Sequence, residues 1–348
     1  MKTKFKFLIL YSICSFYAFA GKYTVNTNLT PGQFTNINTA INSVNNGDTI
    51  YVLPPYNNSD VTITKSVTLI ALGSHADVQN SMSTLVNNVV VDANVSNVSI
   101  SGFKLGTILL GFKNSNIIVS NCFINQTITL ADSLSNILIH NNIFNSYGGY
   151  NIIGATWNPC VQGYYFSGSN IVIHKNIFNG IITGLKATPS FITNNIFLGN
   201  TAFYIPSSCN YEIDFAYIRN NIFYSAEPSG TGQNCIVQNN ITYHPNVALN
   251  PLPGNGNLDN VNPLFVNYPS TGGPFDWNFN FHLQSTSPGI GAGTDGTNIG
   301  IEGGMFGSSF QGETLGFPVI RKMNVQNFNV PLNGNVNVNV RSTKAREN

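Results

Sequence analysis

Apolar residues alternate with polar ones in short runs along this chain, and the runs themselves recur. "SNILIHNNIFN" (Ser135–Asn145) returns as "SNIVIHKNIFN" (Ser169–Asn179), 34 positions later. Weaker copies begin at Ser96, Ser115, Ser190, Phe215 and Gln233. Each run ends in a pair whose first member is Gly102, Asn121, Asn141, Lys175, Asn194, Asn220 or Asn239, giving steps of 19, 20, 34, 19, 26 and 19 residues. A base period near 19 to 20 with two lengthened coils predicts a solenoid. Two residues before the pair stand Ile100, Val119, Ile139, Ile173, Ile192, Ile218 and Val237, all β-branched, and the position two further back is small or apolar. Period two with β-branched residues predicts a short strand with one buried face. The 3.6-spaced apolar set of a helical repeat is absent. Strands that return in the same direction after each circuit must stack in parallel.

The pair predicts the turn. Its first column is Gly, Asn or, once, Lys175, and Gly and Asn are the types that best tolerate a left-handed backbone. Its second column reads Phe103, Cys122, Asn142, Asn176, Asn195, Asn221 and Asn240. A column that mixes Phe and Cys with Asn points inward, and inward Asn side chains must bond one another and the turn backbone. The five asparagines Asn142, Asn176, Asn195, Asn221 and Asn240 therefore form a predicted structural ladder. An apolar stack dominated by Phe144, Phe178, Phe197 and Phe223 follows it.

An asparagine ladder at a tight turn beside a phenylalanine stack resembles the right-handed parallel β-helix proteins of the pectate-lyase-like superfamily. The segment Phe34–Gly73 is similar to that family's opening: Phe34, Ile37, Ala40, Ile41 and Val44 fall on one helical face and Gly47 stops it. Such a helix would cap the open end of the solenoid. "SPGIGAGTDGTNIGIEGG" (Ser287–Gly304) is similar to the final coil of secreted bacterial members. The resemblance implies an all-β right-handed parallel β-helix from about Tyr23 to Gly304, and it carries no particular activity.

Three segments follow. Residues 1–20 have a positive start (Lys2, Lys4, Lys6), an apolar stretch and Ala18-Phe19-Ala20, which predicts a signal peptide cleaved before Gly21 and a secreted or cell-surface protein. Residues 21–312 are the β-helix with its helical cap. Residues 313–348 carry two alternating runs around Asn333-Gly334, which predicts a β-hairpin appendage. No later apolar run is long enough to cross a bilayer. A monomer is expected.

Composition narrows function. Only 8% of residues are charged and the net charge is +1, so electrostatic capture of nucleic acid or anionic membrane has no support. Calcium-assisted elimination, known in the family, would need clustered carboxylates. Between Ser96 and Pro245 only Asp132, Glu212, Asp214 and Glu227 occur. No metal site and no cofactor are expected, and paired carboxylates for hydrolysis are missing.

Two regions remain as candidate chemistry. The inserted loop 146–169 carries Tyr147, Tyr150, Trp157, Tyr164 and Tyr165, whose flat faces suit sugar rings; packing of the loop onto the barrel explains them equally well. Cys160 in this loop and Cys209 in the next are a plausible disulfide in an exported chain, while Cys122 and Cys235 read as core cysteines. On the outward face the column before the pair reads Ser101, Ser120, His140, His174, Thr193, Arg219 and Gln238. His140, His174 and Arg219, with Lys175 to bind a uronate, would make the catalytic strip of a metal-independent lyase. As plain solvent-facing polar positions they need no function, and that reading is preferred. The leading expectation is a polysaccharide binder. A metal-independent lyase and a non-catalytic adhesin or spacer are the alternatives.

Overall fold

A computed structural model of the chain describes residues 20–27, 33–58, 60–71, 84–154, 168–199, 201–203, 213–228 and 234–304, and the strand backbones at 318–325 and 338–344. The predicted signal peptide thus lies outside the described residues but for Ala20, as do Trp157, Tyr164, Tyr165 and the proposed Cys160–Cys209 bridge.

The repeated runs are strands, as the period-two pattern requires. Ser96–Ser101, Ser115–Ser120, Ser135–His140, Ser169–His174, Ser190–Thr193, Ala216–Arg219 and Ile236–Gln238 lie side by side in one parallel sheet of ten strands. Lys22–Val25, Thr49–Val52 and Thr68–Ala71 extend it towards the N-terminus. The strands after the pair build a second parallel sheet, in which the long strand Lys104–Leu110 pairs with both Phe123–Ile124 and Ile128–Leu130. Parallel crossovers take the right hand, so the chain winds as a right-handed parallel β-helix.

The turn behaves as predicted. Gly102, Asn121, Asn141, Lys175, Asn194, Asn220 and Asn239 all have positive φ, from 51° to 80°. The next residue points inward, and Asn142, Asn176, Asn195, Asn221 and Asn240 are fully buried. Each Oδ1 accepts from the backbone N–H and the Nδ2 of the rung before it, at 2.9 to 3.0 Å for Asn176, Asn195, Asn221 and Asn240. Asn257 adds a further rung that the repeat alignment did not reach. Beside the ladder, Phe144, Phe178, Phe197 and Phe223 stack with ring centroids 4.6, 4.9 and 5.0 Å apart. Cys122 is a core cysteine, its thiol pushed up to about 12 by burial, and Cys235 donates to the Ile213 carbonyl. The cap helix is Ile37–Ser43, started by Asn36, whose side chain accepts from the Asn38 and Thr39 amides. Phe34 lies before the helix, in a bridge to Val25, and packs on Tyr23 at 6.0 Å.

Two expectations about the C-terminal part need correction. Ser287–Gly304 does not close another coil but runs back across the coils. Gly289 lies against Ile241, Gly300 donates to the Asn220 carbonyl at 2.8 Å, and Gly304 reaches His174. Glycine is required where this strap crosses. A Cβ on Gly300 would stand 2.7 Å from Ile222 and one on Gly304 2.6 Å from His174, and both glycines have positive φ. The strap and the antiparallel pair Phe265–Asn267 with Asn280–Leu283 cover a second core. That core is made of the outward residues of the second sheet, Phe123, Ile143, Ile177, Ile196, Ile222 and Ile241. The hairpin at the end does form, between Pro318–Val325 and Val338–Lys344. It is not centred on Asn333-Gly334, which would set Val325 opposite Ser342; Val325 pairs with Val338 instead. An even shift keeps the Val and Asn positions on matching faces, so the alternation alone leaves the register open.

Candidate functional site

His140 and His174 sit on adjacent rungs of the first sheet, then come Thr193 and Arg219, all in register. The expected column therefore exists, but its surroundings differ from the expectation. His140 is 9% exposed and His174 6%. The strap covers the His174 end of the column: Asn298 and Gly300 accept from Asn194 Nδ2, Thr294 bonds Asn220, and Gly304 closes on the His174 ring. These are covered positions rather than solvent-facing ones. His174 Nδ1 is 2.8 Å from Thr193 Oγ1.

Burial sets the charge state of this corner. It pushes both imidazoles down to about 4, with the Lys175 charge adding to the effect, so both are neutral at neutral pH. Lys175 is only 2% exposed. Burial lowers its ammonium to about 8, against the pull of Asp295 and Glu302 on the strap. It also takes a left-handed backbone where almost every other coil has Asn, at a cost of about 1 kcal/mol. The corner is thus a lysine and two neutral imidazoles under a lid that carries two carboxylates.

At the outer end of this corner Glu302 binds His282. Nδ1 stands 2.5 Å from Oε1, and Glu302 Oε2 accepts from Asn298 at 3.0 Å. The hydrogen bond that His282 donates to Glu302 raises the imidazole, against its partial burial. Burial works against the Glu302 carboxylate, but its bonds to His282 and Asn298 outweigh it and hold it below the usual range. Beside the pair runs an aromatic series, Phe275, Trp277, Phe279 and Phe281, at every second position. Trp277 stacks on Phe123 at 5.3 Å and meets Phe275 edge-on at 5.1 Å. Sequence reasoning passed over these residues. The spacing "PFDWNFNFHL" carried the signal, as did the apolar residues on both faces of the "NIF" strands, which require a cover.

The other expected residues lie elsewhere. Tyr147 and Tyr150 are exposed but belong to the second-sheet side, Tyr150 opening the strand Tyr150–Gly154. Arg219 stacks over the Tyr217 ring at 4.7 Å, which brings it to a different row of the first sheet. That row is outward and open: Ile118, Leu138, Val172, Phe191, Tyr217 and Ile236 follow one another in register on successive coils. Phe191 and Tyr217 stack at 5.1 Å and 9°. Ile118 and Ile236 are more than a third exposed, and the four between them are half-buried. One edge of the row is lined by an exposed ladder, Asn97, Asn116, Asn136 and Asn170, linked Nδ2 to Oδ1 at 2.9 to 3.0 Å. Among the described residues no group of three or more His, Cys, Asp or Glu converges to hold a metal, and no helix is long and apolar enough to cross a membrane.

No family model matches the chain, and no curated protein matches it. Among solved structures it is similar to one described as the crystal structure of pectate lyase Pel9A, at 13% identity over 83% of this chain and 96% of that one, with a TM-score of 0.34. The fold is defined by the strand register. Activity does not travel with it.

Proposed function

We propose that this is an extracellular, non-catalytic β-helix protein that binds a linear polysaccharide along the outer face of its first sheet. The observation that carries the reading is the open row from Ile118 to Ile236. Six rungs at the parallel-strand spacing span about 24 Å. A glycan laid along the solenoid axis would meet an apolar or aromatic side chain at every rung, with a repeat of the same order as one sugar unit. The first three rungs, Ile118, Leu138 and Val172, are flanked by Asn116, Asn136 and Asn170. Asn116 and Asn136 each spend one N–H and one lone pair on the ladder and keep one of each for a sugar hydroxyl. Arg219, stacked on Tyr217, adds a cation at the far end. Extracellular placement rests on the N-terminal segment Met1–Ala20.

The near-complete burial of both rings, with the strap lying against His174, weighs against a lyase centred on His140 and His174. The test is binding of the secreted chain to soluble and insoluble glycans, with ultraviolet absorbance followed for unsaturated uronates. Retention that drops when Phe191 and Tyr217 are both replaced by Ala supports the reading. Rising absorbance on an anionic glycan, lost in a His140→Asn, His174→Asn variant, would overturn it in favour of the lyase. Silence towards every glycan from a folded protein would favour an adhesin or spacer.

A further inference from the structure

A second and separate site lies on the opposite flank, under the aromatic series. Between the ribbon and the second sheet is a cavity of about 230 Å³, lined by Ile177, Ile301 and the four rings of Phe275, Trp277, Phe279 and Phe281. Among the described residues that line it, polar groups come only from Asn280, His282 and the Trp277 indole N–H. The rings are held by one another and by the sheet: Trp277 lies on Phe123, Phe275 lies 6.0 Å from Phe281 at 17°, and Phe279 meets Phe281 edge-on at 6.3 Å. The Phe275 amide is fixed by Asn179 Oδ1 at 2.7 Å. This cavity is formed before any ligand arrives.

We infer that the cavity binds a single aromatic ring carrying one anionic or hydrogen-bond-accepting group, an aryl carboxylate being the simplest case. Size is the first reason, since a dry cavity of about 150 Å³ accepts benzene and this one leaves room for a substituent. Lining is the second. A pyranose has hydroxyls around its whole rim, and so few polar groups would leave most of them buried without partners. A flat ring instead offers faces and edges that match the stacked and edge-on rings here. His282 is the third. Glu302 holds its Nδ1, and both Glu302 oxygens are occupied within the protein. The imidazole side chain is 60% exposed and the carboxylate 18%, so the donor and not the acid faces outward. With Nδ1–H given to Glu302, Nε2 carries a hydrogen in the protonated ring, the form that the Glu302 bond favours, and that N–H is left to meet a carboxylate at the mouth of an apolar box. The glycan row lies on the other sheet, so this site does not depend on it.

The experiment is isothermal titration of the full secreted chain with benzoate, and with cyclohexanecarboxylate as the non-aromatic counterpart. Benzoate is expected to bind at millimolar concentration or below and cyclohexanecarboxylate more weakly. His282→Gln should weaken benzoate roughly tenfold, the loss of one charge-assisted hydrogen bond. Ile301→Phe, which fills the cavity from its edge, should abolish binding while circular dichroism stays unchanged. No heat with benzoate at millimolar concentration would overturn the proposal. Equal binding of the two carboxylates, or binding indifferent to both variants, would overturn it as well.

Discussion

The two asparagine ladders of this molecule use the same residue at the same spacing and do different things. The inner ladder, Asn142 to Asn257, is almost wholly buried, and each rung ties side chain and backbone of one coil to the next. Its Nδ2 groups also donate to strand carbonyls, as Asn195 does to Ile173 at 2.9 Å. The outer ladder, Asn97 to Asn170, bonds side chain to side chain only and stands in solvent. The outer asparagines themselves take left-handed backbone, whereas each inner one from Asn142 to Asn240 follows the residue that does. The inner one consumes its hydrogen-bonding capacity to satisfy the turn. The outer one keeps a share for something else.

Breaking an inner rung should therefore have the largest effect. Asn195→Ala removes the acceptor for the Asn176 N–H and Nδ2 and the donor to Ile173 O, leaving buried polar groups at the turn short of partners. A loss of about 4 kcal/mol is expected in denaturant unfolding. Acid should come next. His140 and His174 are held near 4 in the folded protein and titrate near 6.5 when unfolded. Between those values the unfolded chain binds more protons, so stability is complete above about 6.5 and falls as pH drops through 4. A loss of about 3 kcal/mol in that window is expected from thermal melts, and His140→Asn with His174→Asn should flatten the curve. An unchanged curve in the double variant would mean that burial of these rings does not set the acid dependence.

Smaller effects should separate binding from folding. Phe191→Ala with Tyr217→Ala should cost about 2 kcal/mol of glycan affinity by removing a stacked pair from a half-exposed row. Asn136→Ala, on the outer ladder, should change stability by less than about 0.5 kcal/mol. It should nevertheless weaken the glycan measurably, and a stability loss like that of Asn195→Ala would erase the distinction between the ladders.

Most of the solenoid was legible because its signals are local. The β-branched columns, the left-handed turn residues and the phenylalanine stack each depend on neighbours one coil away, and the strand at Ile192 or Ile218 can be read without knowing the rest. The strap was not legible. Gly300 and Gly304 are shaped by contacts with Ile222 and His174, far away in sequence, and a glycine-rich stretch by itself fits a closing coil as well as a crossing one. His140 and His174 were read as open for the same reason: alternation says which face a side chain takes, not what later lies over it. The aromatic series at Phe275 to Phe281 had a visible period, but its partner surface, the outward Ile143, Ile177 and Ile222, looked like an ordinary strand face until the cover was seen. Lys175 is the intermediate case. It stood out among asparagines, yet its burial under Asp295 and Glu302 follows only from the strap.

The most direct test is the dependence of affinity on glycan length. For the glycan that the protein retains, oligosaccharides of increasing length should bind with rising affinity until they span about 24 Å, the six rungs from Ile118 to Ile236. The gain should vanish in the Phe191→Ala, Tyr217→Ala variant. A monosaccharide that binds as well as the longest oligomer, or a length dependence untouched by that variant, would contradict the account.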